Sequence, residues 1–287
     1  MKKPFLKWAG GKYKLLDLLI PEIGQPNNFV DVFTGGCSVS LNVKSNNTIS
    51  NDINRHLIGL YRSILCNDVS VFTEYFTDEN CTEESYNKLR NDFNTLVSEN
   101  SDSIEKYKLF IYLNKHCFNG LTRFNRSGGF NVPFGRYTKN DSDDKIVIPF
   151  SEESIKNIKT EIQNFKNSMD SCTFTCKNFD DMSLYENLGQ DDVVYFDPPY
   201  LPLNKTSFFT DYFGKFGLKE HEKLSEIATE LKNSGIKTVI SNSSAVETES
   251  IFKEGRFIEI LATRSVGANS ETRKKIKEYI TVFIPLF

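Results

Sequence analysis

Residues suited to metal and thiol chemistry are scarce in this chain. Of its 287 residues only three are histidine, His56, His116 and His221, spaced too widely to form a ligand set. The six cysteines, at 37, 66, 81, 117, 172 and 176, are scattered, mostly inside apolar segments. They read as buried free thiols. Cys172 and Cys176 could share one face of a strand, but no second Cys or His pair completes a zinc set. No metal site is expected. The G-x-G-x-x-G order is missing too, which argues against a bound dinucleotide. No apolar run approaches membrane-spanning length, and the start, MKKPFLKWAGGK, has no apolar stretch of the kind a signal peptide needs. A cytosolic protein with no membrane partner is expected.

A positive net charge is also absent: 35 Lys and Arg stand against 38 Asp and Glu, a net −3. Taken alone that argues weakly against nucleic acid, but the distribution argues the other way. From Lys106 to Lys139 there are seven basic residues (Lys106, Lys108, Lys115, Arg123, Arg126, Arg136, Lys139) and no acid. The first sixteen residues hold five Lys and no acid. Basic segments in an acidic chain suggest a localised phosphate-binding surface. For the third basic run, at Arg273–Lys277, a solvated face is the preferred reading.

Hydrophobic content of 39% and charged content of 25% fit a globular protein with a large core. Phe29–Phe33 reads as a strand running into Thr34-Gly35-Gly36 and a helix from about Ser38 to Val43, the start of a βαβ unit. Thr48–Asp52 reads as a second strand ending in an acid, and Asn54 can cap the helix that follows. Residues 57–144 change character. Helical patterns cover 69–77, 83–97 and 103–116. A polar aromatic stretch follows, with a hairpin turn at Ser127-Gly128-Gly129 between strands near 121–125 and 130–134. Asp141–Asp144 closes the block as a solvated loop. Helices near 151–167, 218–233 and 246–253 then alternate with strands near 172–176, 192–196, 237–241, 256–262 and 278–284. The expected fold is α/β: a Rossmann-like sheet with helices on both faces, formed by 1–56 and 145–287, and a helical insertion at 57–144 carrying a β-hairpin.

Three motifs carry chemistry. Asp197-Pro198-Pro199-Tyr200 follows the apolar strand Val193–Phe196, so a carboxylate, a proline carbonyl and a ring are held at the carboxyl end of a sheet, where ligands of open α/β sheets bind. The segment Asp31-Val32-Phe33-Thr34-Gly35-Gly36 allows close backbone approach to a nucleoside cofactor, and Asp52, about 20 residues on, sits where ribose hydroxyls are commonly held. An adenosine cofactor without a phosphate fits best. Lys7–Lys12, with the single Trp8 and two glycines, makes either an N-terminal apolar anchor or a second wall over the ligand.

In this order, and with Asn51-Asp52, Phe118–Arg123, Gly129–Tyr137 and Ser241-Asn242-Ser243, the chain resembles the Dam family of DNA adenine methyltransferases over nearly its whole length. The resemblance implies transfer of methyl from S-adenosylmethionine to the adenine N6 amino group in double-stranded DNA, usually within GATC. It implies cofactor contacts by Trp8, Lys12, Asp52 and Asp197, beside Asp31, Phe33 and Gly35 of the glycine turn. It implies a DNA-reading set of Lys7, Phe118, Asn119, Leu121, Arg123, Pro133 and Arg136. Phe118 stands where the family usually has Tyr: a ring is kept and the phenol lost.

The chemistry of the residues agrees. Adenine's amino lone pair is delocalised into the ring. If Asp197 and the Pro198 carbonyl accept its two protons, the nitrogen can pyramidalise, while Tyr200 stacks on the everted base. Methylation of a cytosine carbon would need a nucleophilic Cys, typically after Pro, and no Pro-Cys pair occurs. Arg123 can read guanine with two hydrogen bonds or hold a phosphate. Other readings are an amino methyltransferase acting on cytosine N4, RNA or a protein amide, and a non-catalytic DNA-binding module retaining the fold. A monomer is expected. A restriction-modification, viral or host regulatory setting is left open.

Overall fold

The computed structural model describes residues 1–135, 151–201, 216–263 and 275–285. The Asp141–Asp144 loop and Arg136 lie outside the described residues. The chain divides into two compact units. One comprises residues 1–2, 12–53 and 171–287; the other comprises 3–11 and 54–170.

The first unit is built on seven strands: β1 (Asn28–Asp31), β2 (Asn47–Asn51), β3 (Cys172–Thr175), β4 (Val193–Phe196), β5 (Lys237–Ser243), β6 (Arg256–Thr263) and β7 (Lys275–Phe283). Their order is β3-β2-β1-β4-β5-β7-β6. The first five run parallel, while β7 is antiparallel to both neighbours. Every residue of β4 is buried, as a strand covered on both faces requires. Its side chains alternate between two cores. Val193 and Tyr195 join Phe29, Val239 and the helix α1 (Leu16–Ile23). Val194 and Phe196 join Val30, Ile240 and the α-helix spanning Leu218–Asn233. Helices therefore cover both faces, as the patterning predicts.

From β1 the chain winds outward through β2 and β3 on one side, and from β4 through β5 on the other. The adjacent ends of β1 and β4 form the topological switch point, where a crevice opens for ligands in such sheets. Asp31 ends β1 and Asp197 directly follows β4.

Three local expectations are corrected, the first two being helices. Ser38–Val43 is a series of turns rather than a helix, mixing Leu41 N–H to Cys37 C=O with Asn42 N–H to Val39 C=O. The cause lies in its polar side chains, which bond elsewhere: Ser40 to Asp31, and Asn42 to the carbonyls of Lys2 and Ser38. The segment 69–77 is only a short 3-10 turn, Val69–Thr73.

The second unit holds α2 (Arg55–Cys66), capped by the Asn54 side chain as expected, α3 (Glu83–Ser98), α4 (Ile104–His116) and α5 (Glu152–Ser168). The strands expected near 121–125 and 130–134 reduce to two isolated antiparallel bridges, Phe124 with Phe130 and Cys117 with Phe134. The turn between them closes at Asn125. Its N–H donates to the Gly129 carbonyl, its carbonyl accepts from Gly128 N–H, and its side chain accepts from Ser127 and Gly129. Gly128 takes the left-handed φ of 84° that a three-residue loop demands. The second arm bonds the first through Asn131 N–H to the Arg123 carbonyl, and on its other side it is tied to α3: Tyr86 donates to the Val132 carbonyl, and Asn94 brackets Phe130 through both its N–H and its C=O.

Candidate active site

At the switch point Lys12 Nζ lies 2.8 Å from Asp197 Oδ1, with both side chains largely buried. The same ammonium sits 4.8 Å from the centre of the Tyr200 ring. Tyr200 in turn donates its phenol to Glu278 Oε2 at 3.1 Å. Burial pushes the Asp197 carboxyl up to about 6, and Lys12 opposes that rise. Pro198 and Pro199 lack N–H groups, so the corner makes no ladder bonds of its own there. It is braced instead from β5, where Ser243 Oγ donates to the Leu201 carbonyl at 2.7 Å.

Asp31 is almost wholly buried, and burial lifts its carboxyl to about 7, with Asp197 adding to the rise and Ser40 opposing it. Oδ2 accepts from Ser40 Oγ at 2.6 Å and Thr34 Oγ1 at 3.2 Å. Ser40 also accepts from Ser50, which accepts from Cys172. Asp31 Oδ1 is buried without a hydrogen-bond partner among the described residues.

The glycine turn is closed by the acid expected for ribose. Asp52 Oδ2 accepts from the Gly35 N–H at 3.0 Å, while Thr34 N–H bonds to the Asn51 carbonyl. The loop after β1 is thus held by a side chain rather than by the start of a helix. Phe33 lies 5.9 Å from Phe179 and 5.6 Å from Phe216, giving an aromatic group beside that turn.

Within the first unit the structure thus brings Lys12, Asp31, Asp197, Pro198 and Tyr200 together at the carboxyl ends of β1 and β4, with Phe33, Gly35 and Asp52 following β1 and β2. Trp8 belongs to the second unit, half-buried, its carbonyl accepting from Gly11 N–H. The expected DNA-reading residues gather within that unit. Asn114 clasps Lys7 through both main-chain groups and bonds Thr122. The Lys7 side chain lies over Gly120, whose φ of 66° and missing Cβ leave it room. Phe118 N–H donates to the Pro133 carbonyl, and the Phe118 ring is 47% exposed although apolar. Asn119 is exposed with a φ of 54°. Leu121 N–H closes the turn to the Phe118 carbonyl, and Arg123 Nε donates to Asn131 Oδ1 at 2.8 Å, which aims an exposed guanidinium. Among the described residues no cluster of three or more metal-ligating side chains occurs, and no helix is long and apolar enough to cross a membrane.

Several contributors have no role assigned from sequence, although Asn51 stands in the Asn51-Asp52 motif. Asn51 makes four bonds at the sheet's carboxyl edge, donating to the Val32 and Lys177 carbonyls and accepting from Thr175 and Lys177. Phe179 and Phe216 lie in loops with no periodic signal. Glu278 was detectable: Ile276, Ile280 and Val282 occupy alternate positions of β7, so Glu278 falls on an apolar face.

The strand order and the acid-lined switch point are consistent with an S-adenosylmethionine-dependent methyltransferase fold. Comparison with known proteins narrows this. The model of the D12 class N6 adenine-specific DNA methyltransferases matches residues 8–266. The chain is 36% identical to a DNA adenine methylase of Salmonella typhi over 99% of its length and 97% of the relative's. Similar proteins of the same description occur in Escherichia coli K12 (35%) and Vibrio cholerae (32%), each with 99% of this chain and 97% of the relative covered. Among solved structures, a precorrin 8w decarboxylase of Methanobacterium thermoautotrophicum overlaps with a TM-score of 0.36 at 10% identity, covering 100% of this chain and 96% of that one, too slight a likeness to bear on function. The chain belongs to the D12 class of N6 adenine-specific DNA methyltransferases.

Proposed function

We propose that the protein methylates adenine N6 within GATC in double-stranded DNA, with S-adenosylmethionine as donor and the switch-point crevice as its active site. The observation that carries this reading is the Lys12–Asp197–Tyr200 constellation directly after β4. The residues present fit the donor. The orphaned, buried Asp31 Oδ1 calls for a hydrogen-bond donor, Asp52 faces the glycine turn as a ribose acceptor, and Phe33 and Phe179 offer apolar faces to a purine. Lys12 completes the cofactor wall within this unit. When bound, S-adenosylmethionine supplies a methyl already activated by its sulfonium leaving group.

The protein's own work is then orientation. Asp197 and the Pro198 carbonyl accept the amino protons of the everted adenine, freeing its lone pair. Tyr200 stacks on the base. Lys12 keeps Asp197 ionised against burial. No covalent intermediate is needed. Lys7, Phe118, Asn119, Leu121, Arg123, Pro133 and Arg136 form the DNA-reading set, with Arg123 pre-aimed by Asn131 toward a guanine edge, worth roughly 1–3 kcal/mol of base discrimination.

The test is Asp197→Ala with labelled cofactor and GATC duplex. Methyl transfer is expected to fall by at least about 100-fold while DNA binding persists. Transfer at the wild-type rate would end the assignment. Sequencing that reports modified bases in DNA from expressing cells fixes the base and its context.

A further inference from the structure

Glu278 is a carboxylate on the apolar face of β7, 8% exposed, with Ile276 and Ile280 on the same face and Ile260 of β6 beside it. A charge placed there is costly unless it has a specific partner. Its hydrogen-bond donor is the Tyr200 phenol, 3.1 Å away. Across the sheet Glu278 pairs in register with Ser243, whose hydroxyl holds the Leu201 carbonyl. The two side chains thus grip consecutive residues of the corner that follows β4, one by its ring and one by its backbone. Because Pro198 and Pro199 cannot donate, these side-chain contacts replace the ladder bonds an ordinary strand end would have.

We propose that Glu278 is a positioning residue for methyl transfer: it holds the Tyr200 ring in the orientation that stacks on the target base. This rests on Tyr200 serving as the stacking platform. Accepting the phenol proton as a hydrogen bond also enriches the ring in electron density. That favours contact with a purine whose amino nitrogen becomes cationic as it gains the methyl, before its proton leaves. Among the described residues, Lys12 lies over the same ring, and Asp197 is the charged group whose field acts together with that of Glu278 on Tyr200.

The experiment compares Glu278→Ala, Glu278→Gln, Tyr200→Phe and the Tyr200→Phe/Glu278→Ala double variant in steady-state methylation of a GATC duplex. Alongside, the emission of 2-aminopurine at the target position is recorded in each protein–DNA complex. Glu278→Ala is expected to lower kcat about 10-fold or more with KM for DNA changed less than about 3-fold, and to leave 2-aminopurine brighter because it is less well stacked. Glu278→Gln, which keeps an acceptor oxygen and unburdens the fold of a buried charge, is expected to recover most of kcat. The double variant is expected to be no slower than Tyr200→Phe, since both changes remove one contact. Additive losses in the double variant, or Glu278→Gln as impaired as Glu278→Ala, would overturn the proposal. So would wild-type kcat and emission in a folded Glu278→Ala. An active Asp197→Ala would instead overturn the function on which it rests, so the two failures are distinguishable.

Discussion

Lys12 and Asp197 show how one contact sets a working range. Burial raises the Asp197 carboxyl and the ammonium at 2.8 Å opposes that rise, leaving it at about 6. An ionised carboxylate is the better acceptor for two amino protons, so methyl transfer is expected to rise with pH through about 6 and level off above it. Lys12→Met removes the opposing charge, and the acid limb of a single-turnover pH profile is expected to move to higher pH. A limb that stays put, with the rate otherwise measurable, would separate Asp197 ionisation from turnover. The Asp197 corner was readable from four consecutive residues, because a strand stopped by two prolines is a local event. Its partners Lys12 and Glu278 lie at opposite ends of the sequence and were brought there by strand order.

Among the elements, the carboxyl edge of β1, β2 and β3 depends on a single side chain. Asn51 is 1% exposed and satisfies four main-chain and side-chain groups in the loops that follow Asp31 and Thr175. Asn51→Ala leaves the buried Val32 carbonyl unpaired, at a cost on the order of 1–3 kcal/mol before relaxation, and removes the partner of three part-buried groups at Thr175 and Lys177. Urea unfolding is expected to show a stability loss of at least about 2 kcal/mol, and calorimetry a weaker affinity for S-adenosylmethionine, since Asp52 follows directly in sequence. An unchanged midpoint would mean that water replaces these bonds without penalty. The strands themselves were legible from alternation and apolar runs. The stretch Ser38–Val43 was not: its spacing suits a helix, but its Ser and Asn side chains are claimed by Asp31, Lys2 and Ser38. The hairpin near 121–134 was legible as a turn, but its arms exchange only scattered main-chain bonds, such as Asn131 N–H to the Arg123 carbonyl, while side chains of α3 bond the outward-facing groups of Phe130 and Val132.

Across the whole molecule, the two units carry opposite responses to acid. In the first, burial raises Asp31 to about 7 and Asp197 to about 6, against an unfolded value near 3.8. Their contribution is full below that unfolded value and is lost as pH rises through 6 to 7. The buried His221 of this unit, held below its ordinary value by burial, works the other way. In the second, desolvation lowers His56 and His116 to about 4 from 6.5. Their contribution is full above 6.5 and is lost as pH falls toward 4, by up to about 1.4 kcal/mol per pH unit for each. Between pH 7 and pH 5, hydrogen exchange corrected for intrinsic rates is expected to show protection falling in 54–135 more than in 12–53 and 171–201. Parallel changes in both would show that they unfold as one cooperative body and that this division has no thermodynamic counterpart.

What the chain's order of residues established unaided was local: which segments are strands, where the acid-and-proline corner falls, which stretch is basic and free of acids, and which family the motifs resemble. Period-2 alternation, proline and glycine act over a few residues, so they can be read without a fold. Tertiary structure alone decided that β1 and β4 are neighbours, and so that Lys12, Asp31, Asp197, Tyr200 and Glu278 share one crevice. That follows from strand order, which is set by how the apolar faces of distant segments bury one another.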